Sequence, residues 1–140
     1  MKIIISESQH DRLFDNQKIL ELPSIDHFGG WDVLQSFLER KGNPLYSISG
    51  NLDLREIPIE SLGNLYSVGG NLDLYRASIE SLGNLSSVGG DLNLYYTPIK
   101  SLGNLTSVGD DLYLQRTPIS KKYSEDQIRE MVSVDGDIYF

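Results

Sequence analysis

The stretch Asn71–Gly90 reads NLDLYRASIESLGNLSSVGG, and nearly the same twenty residues stand on either side of it. The preceding block, Asn51–Gly70, reads NLDLREIPIESLGNLYSVGG, and the following block, Asp91–Asp110, reads DLNLYYTPIKSLGNLTSVGD. A partial fourth block starts at Asp111. A strict period of this size is typical of a solenoid, in which each unit buries its apolar face by stacking on its neighbours.

Each block begins with a Leu-x-Leu pair, the alternation expected of a short strand whose leucines turn inward. The pairs are Leu52/Leu54, Leu72/Leu74, Leu92/Leu94 and Leu112/Leu114. Further apolar columns follow at the positions of Ile59, Leu62, Leu65 and Val68. We predict an α/β solenoid with one parallel sheet of about five strands, one strand per repeat, and helical caps at both ends.

Glycines mark the bends between these apolar columns. Gly69-Gly70 and Gly89-Gly90 precede strands, where we expect glycine to supply a positive φ. The opposite bend carries Gly-Asn at Gly63-Asn64 and at the two equivalent places further along. Stacked asparagines at that bend can bond the backbone of neighbouring coils.

This pattern resembles the leucine-rich repeat family over residues 45–120. The family's Leu-x-x-Leu-x-Leu-x-x-Asn-x-Leu core corresponds here to Val88, Leu92, Leu94, Thr97 and Ile99. The short repeat implies a coil with extended convex segments instead of full helices.

The chain departs from the family at its asparagine column. That column holds Ile57, Ala77, Thr97 and Thr117. The usual asparagine ladder is therefore expected to be missing there. The threonines can bond weakly, and the Asn64 column can substitute at the other corner.

The repeats divide the chain into three parts of one domain. Residues 1–44 are predicted to form an N-terminal capping segment of a strand plus helices, and residues 45–120 the repeat array. Within the first part, Lys2–Ile5 is predicted to be a strand, with a short helix starting near Ser6. Residues 30–41 are predicted to be an amphipathic helix, because Trp31, Leu34, Phe37 and Leu38 recur at helical spacing.

Residues 121–140 are predicted to form a C-terminal cap of a helix and a final strand. Ser124 and Gln127 match a capping box, which places a helix start there. Residues 134–140 align with residues 108–114, so a fifth strand is expected at the end of this segment.

Composition narrows the function classes. The chain has 140 residues, a net charge of −8 and no cysteine, which removes disulfides and zinc-thiolate sites. No basic patch occurs, so direct binding to nucleic acid is disfavoured. Neither a membrane-spanning apolar run nor a secretory signal is recognised, and we expect a cytoplasmic protein without a membrane partner.

Side chains that alternate with the strand leucines should form outward columns on the concave face, about 4.8 Å apart. Tyrosine and arginine are the residue types most enriched in binding hot spots. We therefore predict a protein-binding surface made of Asp53, Arg55, Asp73, Tyr75, Arg76, Tyr95, Tyr96, Tyr113 and Arg116. Alternatively, the tyrosines stabilise the sheet through cross-strand packing.

Other chemistry is not expected on this scaffold. Asp91, Asp111 and Asp137 stack at the start of successive strands, where a calcium ion would relieve their repulsion. No calcium-repeat motif occurs, however, and we predict no metal site. His10 and His27 have no serine or carboxylate partner at the spacing of a catalytic motif. The glycines recur with the repeat and do not form a phosphate-binding loop. We therefore predict neither an enzyme nor a cofactor.

The opening residues 1–9, MKIIISESQ, are similar to the openings of proteins from marine tailed phages, which also carry repeats similar to SLGNLxSVGG. The resemblance implies a viral protein that binds a host or viral protein in the host cytoplasm. Two alternatives stay open. One is a structural or assembly component that self-associates into a homo-oligomer through the terminal strand at Asp137–Phe140. The other is an acidic DNA mimic that inhibits a nucleic-acid-binding protein.

Overall fold

The structure is a computed structural model that describes residues 19–140. It is an α/β fold with two parallel sheets and few helices. The six-stranded sheet contains β1 (Leu20–Leu22), β2 (Tyr46–Ile48), β4 (Leu65–Val68), β6 (Ser87–Val88), β8 (Ser107–Val108) and β10 (Ser133–Val134). The five-stranded sheet contains β3 (Leu52–Asp53), β5 (Leu72–Asp73), β7 (Leu92–Asn93), β9 (Leu112–Tyr113) and β11 (Ile138–Tyr139). The helices are α1 (Trp31–Arg40), α2 (Pro118–Lys122) and α3 (Glu125–Met131), with a 3-10 helix at Asp26–Phe28.

Equivalent residues of successive blocks pair directly in the five-stranded sheet. Leu72 pairs in parallel with both Leu52 and Leu92. The backbone N–H of Leu72 donates to the carbonyl of Asp91 at 2.9 Å, so each coil is bonded to the next. The prediction of parallel strands at the Leu-x-Leu positions is confirmed.

The prediction of one sheet with one strand per repeat is wrong, because each coil contributes a second strand. The convex segments were expected to be extended, and in the structure they also pair: Ser67 pairs with Ser87, and Ser87 with Ser107. In so short a repeat, extended segments on both sides of the coil stack at the same spacing. Backbone N–H and C=O groups on the second side therefore find partners in the neighbouring coils.

Both sheets contribute to one continuous core. Leu74 and Leu94 from the five-stranded sheet side are 0% exposed, and Leu65 and Val68 from the six-stranded sheet are 0% and 1% exposed. All four belong to the same buried cluster. The outward side chains of the strands are thereby free of core packing.

The paired glycines before the strands allow the backbones of successive coils to lie close together. The expectation of a positive φ at these glycines is wrong. Positive φ is found at Gly63, Gly83 and Gly103 on the opposite bend. A Cβ placed on Gly89 would instead overlap the carbonyl oxygen of Gly69 in the preceding coil. Glycine is required there because the backbones of successive coils touch at this corner.

A side-chain ladder runs along the start of the five-stranded sheet. The Oδ1 atom of Asn51 accepts the backbone N–H of Asn71 at 2.8 Å, and Asn71 serves Asp91 in the same way. The ladder continues from Asp91 to Asp111 at 2.9 Å and from Asp111 to Asp137 at 2.8 Å. This column bonds successive coils and accounts for the stacked aspartates.

The other corners are bonded differently. At the family's asparagine position, the hydroxyls of Thr97 and Thr117 donate to the carbonyls of Leu94 and Leu114 at 2.8 and 2.6 Å, as expected. At the opposite bend, Nδ2 of Asn84 donates to Oδ1 of Asn64 at 2.9 Å. The Asn64 column thus forms one link of a second ladder.

Helix α1 precedes the first repeat, and helices α2 and α3 follow the last one. Helix α1 buries Trp31, Leu34 and Leu38. It is joined to the first coil by Tyr46, whose hydroxyl donates to the carbonyl of Leu62 at 2.9 Å and accepts from Gln35 at 3.2 Å. Strand β1, which pairs with β2, was not predicted.

The capping box at Ser124 and the final strand predicted near the C-terminus are both present. Ser124 and Gln127 form a reciprocal capping box at the start of α3, with bonds of 3.2 and 2.8 Å. The register of β11 places Ile138 beside Leu112 and Tyr139 beside Tyr113. The strand predicted at 2–5, the helix predicted after it and His10 lie outside the described residues.

Candidate functional site

A tight turn after each strand of the five-stranded sheet positions one side chain per coil. The backbone N–H of Ala77 donates to the carbonyl of Leu74 at 2.9 Å, and that of Thr97 to Leu94 at 3.2 Å. The third residue of each turn has a left-handed backbone, with φ of 59° at Glu56, 60° at Arg76, 63° at Tyr96 and 58° at Arg116. Positive φ at this position is the mark of a type II turn, which usually carries glycine or asparagine.

Five predicted residues form one contiguous cluster beside these turns. The Tyr75 and Tyr95 rings meet edge to face, with centroids 5.5 Å apart, and the Tyr95 and Tyr96 rings are parallel at 6.3 Å. The guanidinium carbons of Arg76 and Arg116 lie 5.2 and 5.8 Å from the centroid of the Tyr96 ring. Tyr96 therefore joins two arginines from the coils before and after its own.

Three further predicted residues form a charged group at the other end of the sheet. Arg55 binds Asp53 through two bonds, Nε to Oδ1 at 2.9 Å and Nη2 to Oδ2 at 2.8 Å, and its Nε lies 3.7 Å from Asp73. The Arg55 hydrogen bond lowers the pKa of Asp53, whereas burial raises the pKa of Asp73. Since the pair of Arg55 and Asp53 is solvent-exposed, its contribution to stability is small.

Tyr113 lies apart from the first cluster. Its ring stacks on that of Tyr139 at 4.8 Å, with an angle of 9° between the planes. Tyr139 was not predicted as a site residue, although its alignment with Tyr113 was the signal that could have found it. The nine predicted residues therefore fall into three groups along one face.

We call this surface the tyrosine face. It comprises the outward side chains of the five-stranded sheet and of the turns after it, namely Asp53, Arg55, Asp73, Tyr75, Arg76, Tyr95, Tyr96, Tyr113 and Arg116. An open depression of about 240 Å³ adjoins it and shares Asp73 and Tyr113 with it; its lining residues are Asn71, Leu72, Asp73, Asp91, Asn93 and Tyr113.

An acidic group borders the tyrosine face. One carboxylate oxygen from each of Asp91, Asp110 and Asp111 lies within 4.8 Å of the others, a grouping whose ligand atoms suit a cation. The charges of Asp91 and then Asp111 raise the pKa of Asp110. Asp91 and Asp111 each already accept a backbone N–H, so their positions are explained by the ladder. Asp110 was not singled out from the sequence.

The carboxylates of Asp53 and Asp73 on the tyrosine face both lie beside the guanidinium of Arg55. His27 lies near α1, where its ring meets the edge of Phe28 at 5.2 Å. Among residues 19–140, no helix combines the length and apolar character needed to cross a membrane.

Comparisons of the chain with protein-family models, curated proteins and solved structures gave no match. Neither a family nor a relative therefore assigns roles to the residues of the tyrosine face.

Proposed function

We propose that the protein is a leucine-rich-repeat-like solenoid that acts without catalysis and binds a protein partner through the tyrosine face. The observation that carries the proposal is the joined cluster of Tyr75, Tyr95 and Tyr96 with Arg76 and Arg116. Tyr96 is 50% exposed although it is a large aromatic residue. Rigid aromatic rings with guanidinium groups held against them offer contact area at a low entropic cost, as binding hot spots do.

The core supports this proposal because it does not use these side chains. The leucines on the inner side of each strand are fully buried, and no tyrosine of the cluster belongs to the buried cluster. Together with the resemblance of residues 1–9 to phage proteins, this favours a bacterial host protein or another viral protein as the partner.

Capture of a partner from bacterial lysate tests the proposal. The full chain should retain one stoichiometric protein, and the variant with both Tyr75→Ala and Tyr95→Ala should lose it while keeping its fold by circular dichroism. Met131→Ala is the matched control, because Met131 is 45% exposed and lies on helix α3. Retention of the partner by the folded double variant would contradict the proposal.

A second candidate function is self-association through β11. In the part of the chain that the structure describes, β11 pairs only with β9. Following the register of the inner coils, the backbone N–H of Phe140 points to the open edge, as that of Leu114 points to Tyr139. An open edge is a template for strand addition.

Replacement of Phe140 tests whether the protein self-associates through β11. Phe140→Pro removes the edge N–H, whereas Phe140→Ala keeps it. Sedimentation analysis should show concentration-dependent assembly of wild type and Phe140→Ala but not of Phe140→Pro. A monomer at every concentration would exclude the second candidate.

A further inference from the structure

Charge is separated along the strands of the tyrosine face. In the two central coils, the strands begin with oxygen-bearing side chains and are followed by Tyr75 and Tyr95. The turns after them carry Arg76 and Tyr96, and the turn of the next coil carries Arg116. Leu72 and Arg76 are four residues apart, so their Cα atoms lie at most about 13 Å apart at 3.3 Å per residue, and the turn from Leu74 to Ala77 shortens this distance. The face therefore has a negative end, an aromatic middle and a positive end.

The negative end is the depression of about 240 Å³ described above. Its lining includes the carboxylates of Asp73 and Asp91, and none of its lining residues is basic. Tyr113 also lines the depression, and a cation is attracted to the face of an aromatic ring. The shape and charge of the depression suit the side chain of a lysine or an arginine.

The positive end carries guanidinium groups with unused donors. Arg116 contacts the Tyr96 ring and makes no hydrogen bond or ion pair with any residue between 19 and 140. Arg76 has one long ion pair, at 3.8 Å from Glu56. A guanidinium has five N–H donors in a planar fork that matches a carboxylate, and contact with an aromatic ring leaves donors available.

We propose that the tyrosine face binds an extended peptide segment with a Lys or Arg, an apolar residue two positions away and an Asp or Glu four positions away. In an extended chain such residues share one face, and the first and last are about 13 Å apart. The basic side chain occupies the depression, the apolar one covers Tyr75 and Tyr95, and the carboxylate reaches Arg76 and Arg116. This inference rests on the proposed function and names its partner chemistry.

Selection from random nine-residue peptides displayed on yeast, with the full chain as bait, tests the spacing. The enriched peptides should carry the basic, apolar and acidic residues at this spacing, and Tyr75→Ala with Tyr95→Ala should abolish their binding. Enriched peptides that need the tyrosines but lack the charge spacing would overturn this inference and leave the proposed function standing. Failure to enrich any tyrosine-dependent peptide would overturn both.

The repeats supply variants that alter charge with little disturbance of the fold. Arg116→Glu introduces the residue found at the equivalent position 56, where φ is 59° compared with 58° at Arg116. It should weaken binding of a selected peptide at least about tenfold. Replacing the acidic residue of that peptide by lysine should restore the affinity. Asp91→Asn should weaken binding too, because it removes a negative charge from the depression. The fold should be kept, since Asn71 occupies the equivalent ladder position.

Glu60→Gln is the control, because this exposed residue lies outside the tyrosine face. It should leave the dissociation constant unchanged. If the Arg116→Glu variant bound the selected peptide and its lysine-containing derivative equally weakly, the assignment of the positive end would be overturned.

Discussion

The carboxylate of Asp91 holds the backbone of Asp111, whose N–H donates to its Oδ1 at 2.9 Å. Asn71 holds Asp91 through the same bond at 2.8 Å. An oxygen acceptor is therefore used in each of these coils, whereas a negative charge is not. The stack of aspartates is a ladder of acceptors in which charge is incidental to the fold.

Asp91→Ala should lower the free energy of unfolding by about 1 kcal/mol, because the partly buried N–H of Asp111 loses its acceptor. Asp91→Asn should match or exceed the wild type, since it keeps the acceptor and removes repulsion from Asp110 and Asp111. Urea unfolding of the three proteins measures both effects. Equal destabilisation by alanine and asparagine would show that the charge matters and the acceptor does not.

Asp110→Asn should stabilise the protein at neutral pH and should do so less in acid. Asp91 and Asp111 raise the pKa of Asp110 in the folded state, so the folded state binds this proton more tightly than the unfolded chain does. Ionised Asp110 therefore opposes folding at neutral pH, and this penalty is relieved as the pH falls through its pKa. Unfolding curves at neutral and acidic pH, with Glu60→Gln as control, should show the gain only for Asp110→Asn. A gain that is independent of pH would contradict the electrostatic cause.

Leu94→Ala should cost about 2–5 kcal/mol, because Leu94 is 0% exposed and the surrounding coils cannot close the cavity. The adjacent Tyr95 points to the opposite side of the strand, and Tyr95→Ala should cost about 1 kcal/mol or less. Thermal and urea unfolding compare the two. A larger loss for Tyr95→Ala would assign the tyrosines to sheet packing.

Glu56→Gly should raise stability by about 1 kcal/mol, since glycine relieves the left-handed backbone that has φ of 59°. Glu60→Gly, at an exposed position without positive φ, should instead lower stability by roughly 0.5–1 kcal/mol. Both substitutions remove a glutamate side chain. The exposed ion pair of Glu56 with Arg76 at 3.8 Å contributes little to stability, so opposite signs in chemical unfolding isolate the backbone effect. Loss of stability in both would contradict it.

Gly89→Ala should be far more damaging than Gly83→Ala. A Cβ on Gly89 overlaps the carbonyl of Gly69, which forces two coils apart, and the cost should exceed about 2 kcal/mol. Gly83 has a positive φ of 56° and open space around it, so alanine there should cost about 1 kcal/mol. Comparable losses would mean that the coils relax readily at this corner.

Strand positions were predictable from the sequence wherever apolar residues alternate or whole segments repeat. The alternation of Leu72 and Leu74 located β5, and the alignment of residues 134–140 with residues 108–114 gave the register of β11. The six-stranded sheet has a weaker signal in the sequence. Leu65 and Val68 are buried three positions apart, which is not the alternation of a strand, so only pairing between coils reveals it.

The members of the tyrosine face were predictable from their place in the repeat, but their grouping was not. Glu56, Arg76, Tyr96 and Arg116 include three different residue types, yet all four share the turn geometry that the period implies. Which ring meets which guanidinium depends on side-chain directions that periodicity does not encode. The approach of Asp110 to Asp91 likewise depends on how the corner folds.

The regular pairing of Leu52, Leu72, Leu92 and Leu112 also bears on how the chain folds. Each of these contacts closes a loop of the same modest length, so no single step requires the ends of the chain to meet. Parallel sheets generally form slowly because their paired strands are distant in sequence. In this protein each of these four leucines pairs with one that is a single repeat away, so every such pairing step spans the same short separation. Growth can start at any adjacent pair of coils and spread in both directions.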